Sequence, residues 1–237
     1  MRDAYRHFLA EFIGTFALVF VGGAAIMAAN ATGAGLVAVA LAHGLILSVM
    51  VTALMRISGH FNPAVTVGFL AARRIEPMMG GLYIVAQILG AIAAGYALKA
   101  LTPDQLFEAV RGGGQQVALE ITGAQAFFLE VIATFFLVFV VFGTAVDPQA
   151  PKVGGFAIGL TVTADILAIG PLTGGSMNPA RSLGPAVASR VFEGQGIYWA
   201  GPLVGGLAAA LLYDLLFLRR APEPPDHGAV ETVKHRV

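Results

Sequence analysis

Asn62-Pro63-Ala64 and Asn178-Pro179-Ala180 are the same tripeptide written twice, 116 residues apart in a chain of 237. An Asn side chain can cap the free N–H groups of a helix's first turn, and Pro is tolerated at the first helical position, so each tripeptide opens a helix. The apolar runs that follow, 64–72 and 180–191, are about half the roughly 20 residues that a bilayer span requires. They read as half-helices that enter the membrane from opposite sides and meet with Asn62 and Asn178 at the junction. If each side-chain oxygen caps its own helix, the amide NH2 is left to donate into a path between the tips. Two such donors would bind one water oxygen and turn its hydrogens outward, which interrupts a proton wire. The partly positive N-terminal ends of both helices would repel cations at the bilayer centre. This is chemistry for passing neutral polar molecules while excluding charged ones.

Ionisable residues inside the apolar stretches raise other possibilities, because such residues are functional candidates by default. Glu11 and Glu130 could form a proton-relay pair, which would make the chain a secondary transporter with broken helices and a midplane site. Asp165 could face Arg111 or another loop donor, or tune the field at a pore mouth, and the sequence leaves these open. Asp214 lies within reach of Arg219 as a surface pair at a helix end. No motif sets a nucleophile beside a base and no metal-ligand cluster is visible, so neither an enzyme, a cofactor nor a metal is expected. The chain has no Cys, which excludes disulfides and thiolate sites.

The elements that must position these residues are membrane spans. The chain is 57% hydrophobic and 12% charged, with mean hydropathy +0.79, a composition that belongs to integral membrane proteins. A formal net charge of zero gives no reason to expect a nucleic-acid partner. Six apolar segments of spanning length run over about 7–29, 34–55, 78–100, 125–146, 153–170 and 197–218. The first, with Arg2 and Arg6 ahead of it and Gly22-Gly23-Ala24-Ala25 late in it, has the outline of a signal peptide. Its length, Glu11 and the return of its pattern in mid-chain argue against that.

Glu11, Thr15 and Phe16 followed by Leu18-Val19-Phe20 return as Glu130, Thr134 and Phe135 followed by Leu137-Val138-Phe139. Tyr83, Gly90, Ala93 and Ala94 likewise return as Tyr198, Gly205, Ala208 and Ala209. Each unit, about 6–118 and about 125–219, holds three full spans, so the second copy sits upside down relative to the first. The expected fold is all-α: six transmembrane helices plus two re-entrant half-helices in an inverted-topology repeat, one domain over residues 1–220. Ten of the fourteen Lys and Arg residues fall on one side: Arg2, Arg6, Arg56, Arg73, Arg74, Lys152, Arg219, Arg220, Lys234 and Arg236. Lys99, Arg111, Arg181 and Arg190 fall on the other, which puts both termini in the cytoplasm. Residues 221–237, rich in Pro and mixed charge and carrying His227 and His235, read as a disordered cytoplasmic tail.

Ser58-Gly-His-Phe-Asn-Pro-Ala-Val-Thr66 and Gly174-Gly-Ser-Met-Asn-Pro-Ala-Arg-Ser-Leu-Gly-Pro185, together with the Glu11 and Glu130 segments, resemble the aquaporin (major intrinsic protein) family from about residue 6 to 219. The resemblance implies a pore in each subunit, a homotetramer and a plasma (cytoplasmic) membrane location. It implies that Glu11 and Glu130, with His60 beside them, support the half-helix loops rather than relay protons. It also implies an aromatic/arginine filter, for which Arg181, Gly175, Ile166 and His43 match by motif. The match of His43 assumes that a one-residue shortening before Phe61 lies in the loop and leaves the span in register. This set is similar to that of ammonia-permeable aquaporins such as a group of plant tonoplast intrinsic proteins. Ser182 after the filter Arg, with Ala186 and Tyr198-Trp199, resembles the water-channel branch and disfavours glycerol. The function implied is a passive channel for water and small neutral solutes such as ammonia and hydrogen peroxide. Larger neutral solutes (glycerol, urea or metalloid acids) are the alternative.

Overall fold

The computed structural model describes residues 2–151 and 153–218. Those residues form nine α-helices and no strand. Six helices are long and apolar enough to span a bilayer: α1 (Arg2–Thr32), α2 (Gly35–Leu54), α4 (Pro77–Leu101), α6 (Gly123–Val141), α7 (Gly154–Thr173) and α9 (Gln195–Leu216). The half-helices are α3 (Pro63–Ala71) and α8 (Pro179–Ser189). A short helix the sequence reading did not contain, α5 (Asp104–Ala109), and a single tight turn over Arg111–Gly113 occupy the connection before α6. The tail reading at 221–237 and the positions of Lys152, Arg219 and Arg220 lie outside the described residues.

Local chemistry explains where the helices stop. Asn62 and Asn178 take extended backbone angles and cap α3 and α8, each followed by Pro at the first helical position. Thr122 and Gln125 make a reciprocal capping box at the start of α6, whose last turn widens into a π-turn over Phe142–Val146. The fifth span runs past its expected end at residue 170, through Pro171, because the amide of left-handed Gly174 donates to the Gly170 carbonyl and closes the helix at Thr173. That extension carries the Thr173 hydroxyl to Glu130.

The packing follows the repeat. Helix α1 lies along α4, and α6 along α9, while each half-helix packs against the third span of the other repeat, α3 on α9 and α8 on α4. Between membrane helices there is no hydrophobic driving force, so close backbone approach through small residues takes its place. A Cβ on Gly90 would fall under 3.0 Å from the Phe12 carbonyl oxygen, and one on Gly205 as close to that of Val131. At the crossing of α2 and α7 the same holds in both directions, Gly44 against the Gly159 carbonyl and Gly159 against that of Gly44.

Candidate functional site

Each Asn of the repeated tripeptide is fully engaged on its own helix and half engaged on the other. Asn62 Oδ1 accepts from the Ala64 amide at 2.8 Å, and Asn178 Oδ1 from the amides of Ala180 at 3.0 Å and Arg181 at 3.2 Å. Asn62 Nδ2 donates to the Met177 carbonyl and Asn178 Nδ2 to the Phe61 carbonyl, both at 2.8 Å. The expectation that both amide hydrogens of each Asn face the path is therefore corrected. One N–H per Asn fastens the two tips together, and one remains.

Phe61 and Met177, immediately before the two Asn residues, have φ of 49° and 53°. Left-handed backbone at a bulky residue costs about 1–3 kcal/mol and persists only where its surroundings over-determine it. Here a buried carboxylate supplies that constraint on each side. Glu11 accepts from the amides of His60 at 2.9 Å and Phe61 at 2.7 Å, and Glu130 from those of Ser176 at 2.9 Å and Met177 at 2.7 Å. The Ser58 hydroxyl also donates to Glu11, and Thr173 Oγ1 to Glu130 at 2.7 Å.

Sequence reasoning missed Gln87. Fully buried on α4, its Nε2 donates to Glu11 Oε2 at 2.6 Å and to Thr66 Oγ1 at 2.9 Å, joining α1, α3 and α4. The Thr66 hydroxyl in turn meets His60 Nδ1 at 3.1 Å and the Asn62 carbonyl at 3.1 Å. A signal was present: an amide inside a span, where the second repeat has Pro202. On that side the hydroxyls of Ser176 and Ser182 bond to each other within the loop and helix instead.

A cavity runs past both Asn residues and is lined by His43, Ile166, Gly175, Arg181 and His60. Its lining also includes the apolar Leu18, Leu47, Val51, Leu137, Val141 and Val162. Glu11 and Glu130 are not among its lining residues. Within this lining His43 Nδ1 lies 2.8 Å from the Val39 carbonyl, and His43 Nε2 2.9 Å from Arg181 Nη2. A carbonyl can only accept, so Nδ1 carries the ring hydrogen and Nε2 offers its lone pair to the guanidinium. Arg181 Nη1 also donates to the Gly113 carbonyl at 3.4 Å, a partner from the turn after α5 that motif matching did not supply. Gly175 has φ +58°, and a Cβ there would lie 3.2 Å from Ile166 Cγ1, so the missing side chain leaves the Ile166 side open. The structure brings His43, Ile166, Gly175 and Arg181 to one cavity.

The remaining charges fall outside it. Arg111 Nη1 pairs with Glu193 at 3.0 Å, not with Asp165, which is 8% exposed with Oδ2 lacking any hydrogen-bond partner among the described residues. Asp214 meets Arg74 at 2.6 Å, because α3 packs on α9 and brings the residues after α3 to its end, while the expected partner Arg219 lies outside the described residues. Among the described residues no three His, Asp or Glu side chains converge as metal ligands would. The arrangement presents donors, a fixed cation and two helix N-termini to a narrow path, with the means to orient water and repel cations.

Comparison with known proteins agrees with this geometry. A family model described as "Major intrinsic protein" matches residues 1–213. The probable aquaporin TIP3-2 of Arabidopsis thaliana is 41% identical over 95% of this chain and 89% of its own length. Aquaporin TIP2-3 of Zea mays is 46% identical over 90% of this chain and 88% of its own. Among solved structures, the aquaglyceroporin from Plasmodium falciparum superposes with a TM-score of 0.79 at 25% identity, covering 90% of this chain and 96% of that one.

Proposed function

The chain belongs to the major intrinsic protein family and is a multi-pass membrane channel that passes water passively, not an enzyme; from that premise we propose that it also conducts ammonia and hydrogen peroxide while excluding protons and ions. The observation that carries the proposal is the pairing of His43 Nε2 with Arg181 Nη2 at 2.9 Å. It draws the imidazole against the guanidinium, on one wall of the constriction. Ile166 then supplies a flexible apolar wall, and Gly175 adds no side chain to it.

A solute in such a constriction exchanges its hydration for few hydrogen bonds. Ammonia and hydrogen peroxide are small, uncharged and able to use the remaining Arg181 N–H groups and loop carbonyls. A cation would meet Arg181 and then the N-terminal ends of α3 and α8, in a place where no bulk water screens them. Glu11, Glu130 and His60 act as supports of the two loops. Ser182 is fully buried and bonded to Ser176, which supports the reading that no extra polar wall for a polyol stands beside Arg181. A homotetramer in the plasma membrane, with both termini in the cytoplasm, completes the proposal, and the Lys and Arg asymmetry supports the placement of the termini.

The experiment is stopped-flow light scattering on the purified protein in liposomes. An osmotic step, an ammonium gradient read by an internal pH dye, and a glycerol gradient are run in parallel. Fast water and ammonia with little glycerol is the expected result. Water alone would mean a constriction narrower than these residues make, and fast glycerol would put the pore in the class of larger solutes.

A further inference from the structure

Gly22 and Gly23 are buried in α1 and line no part of the cavity. Gly22 is unlike the glycines at the helix crossings. A Cβ on Gly90 or Gly205 would strike backbone, whereas all three nearest atoms to a Cβ on Gly22 belong to the His43 imidazole: Nε2, Cδ2 and Cε1, each under 3.0 Å. The ring thus occupies the volume a side chain at position 22 would fill. The next residue does the same for the other partner of the arginine. A Cβ on Gly23 would lie 3.1 Å from the Gly112 carbonyl oxygen and 2.5 Å from Leu98 Cδ1, and one on Gly113 would lie 2.6 Å from the Gly23 Cα. Among the described residues, His43 and Gly113 are the two acceptors of the Arg181 guanidinium.

We propose that the Gly22-Gly23 step of α1 is a positioning element for Arg181: Gly22 seats the His43 imidazole, Gly23 seats the Gly112-Gly113 turn, and together they set both hydrogen-bond acceptors of the guanidinium. The proposal rests on the reading of His43 and Arg181 as the filter. It makes α1 a determinant of solute selectivity, although α1 gives the filter no side chain. The two glycines differ in consequence. Leu98 Cδ1 is the far end of a flexible side chain and can move, so Gly23→Ala displaces the turn by only a few tenths of an ångström. The imidazole held between Val39 and Arg181 cannot yield without breaking one of its two bonds, so Gly22→Ala drives it toward the lumen.

The test is a double-mutant cycle on the full chain in liposomes, with Gly22→Ala, His43→Ala, the double variant and Arg181→Val. Water flux is read by light scattering, ammonia flux by an internal pH dye, and sodium leak by a trapped indicator. Gly22→Ala is expected to lower ammonia flux about fivefold, the worth of one hydrogen bond. In the His43→Ala background the same change is expected to do nothing, because the atoms it would strike are gone. An equal effect in both backgrounds, or no effect of Gly22→Ala where His43→Ala is active, overturns the proposal and leaves the filter reading standing. Silence of both His43→Ala and Arg181→Val overturns the filter reading and the proposal with it. Should Gly22→Ala fail to fold, recovery of monodisperse protein in the double variant is expected. Failure of that recovery overturns the proposal.

Discussion

Asn62 Nδ2 donates to the carbonyl of Met177 at 2.8 Å, across 115 residues of sequence and onto the residue just before the second Asn. The bond, with its counterpart from Asn178 to Phe61, fastens the half-helix tips to each other and turns the remaining N–H of each amide in a fixed direction. Replacing Asn62 by Asp keeps the cap on Ala64 and removes the donor, leaving a carboxylate oxygen against a carbonyl. Asn62→Asp is expected to cost about 1–3 kcal/mol and to open a proton leak. Dye-loaded liposomes under a pH step measure the leak, and a tight variant would show that the cross-tip bond does not orient the water.

His43→Phe removes the acceptor for Arg181 Nη2 and the donor to Val39, and fills the same volume with a larger ring. Ammonia flux is expected to fall several-fold while osmotic water flux stays within about twofold, since the apolar wall and both Asn tips are untouched. Undiminished ammonia flux would take His43 out of the filter.

Glu130→Gln leaves one acceptor oxygen where Ser176, Met177 and Thr173 now donate to two. At least one buried donor is orphaned, at about 1–3 kcal/mol. Hydrogen exchange should rise at the Ser176 and Met177 amides and remain unchanged at His60 and Phe61, whose carboxylate is Glu11. Exchange that rises equally on both loops would point to global loosening instead.

Asp165 has a buried carboxyl oxygen with no partner among the described residues, and burial without compensation is unfavourable. Asp165→Asn removes the possibility of charge at nearly the same volume. A gain of about 1 kcal/mol would raise the unfolding midpoint in detergent by roughly 2–4 °C. A lowered midpoint would show that the carboxylate is held by something beyond the residues around it.

Much of this architecture is local, and local features were legible. Capping by Asn62 and Asn178 acts over two residues, so Asn-Pro-Ala announces a helix start whatever surrounds it. Span number follows from apolar length, and inversion follows from an odd number of spans per repeat. The twofold symmetry of Glu11 and Glu130 was visible as a repeated segment before either carboxylate had a partner.

The partners were not legible, and the reason is physical. In a soluble helix the apolar stripe marks the inward face, but a membrane helix is apolar toward lipid and toward protein alike. Its rotation is therefore absent from the hydropathy pattern. That rotation decides whether Gln87 reaches Glu11 and Thr66, whether Asp214 reaches Arg74, and whether an imidazole on α2 rests on a glycine of α1. Apolar length and repeated motifs are enough to define the number of spans, the repeat, the two capped tips and the types of residue near them. Which carbonyl each Asn holds, how Arg181 is aimed and which glycine makes room for His43 emerge only once the helices pack, because these depend on faces far apart in the chain, 115 residues between Asn62 and Met177 and 138 between His43 and Arg181.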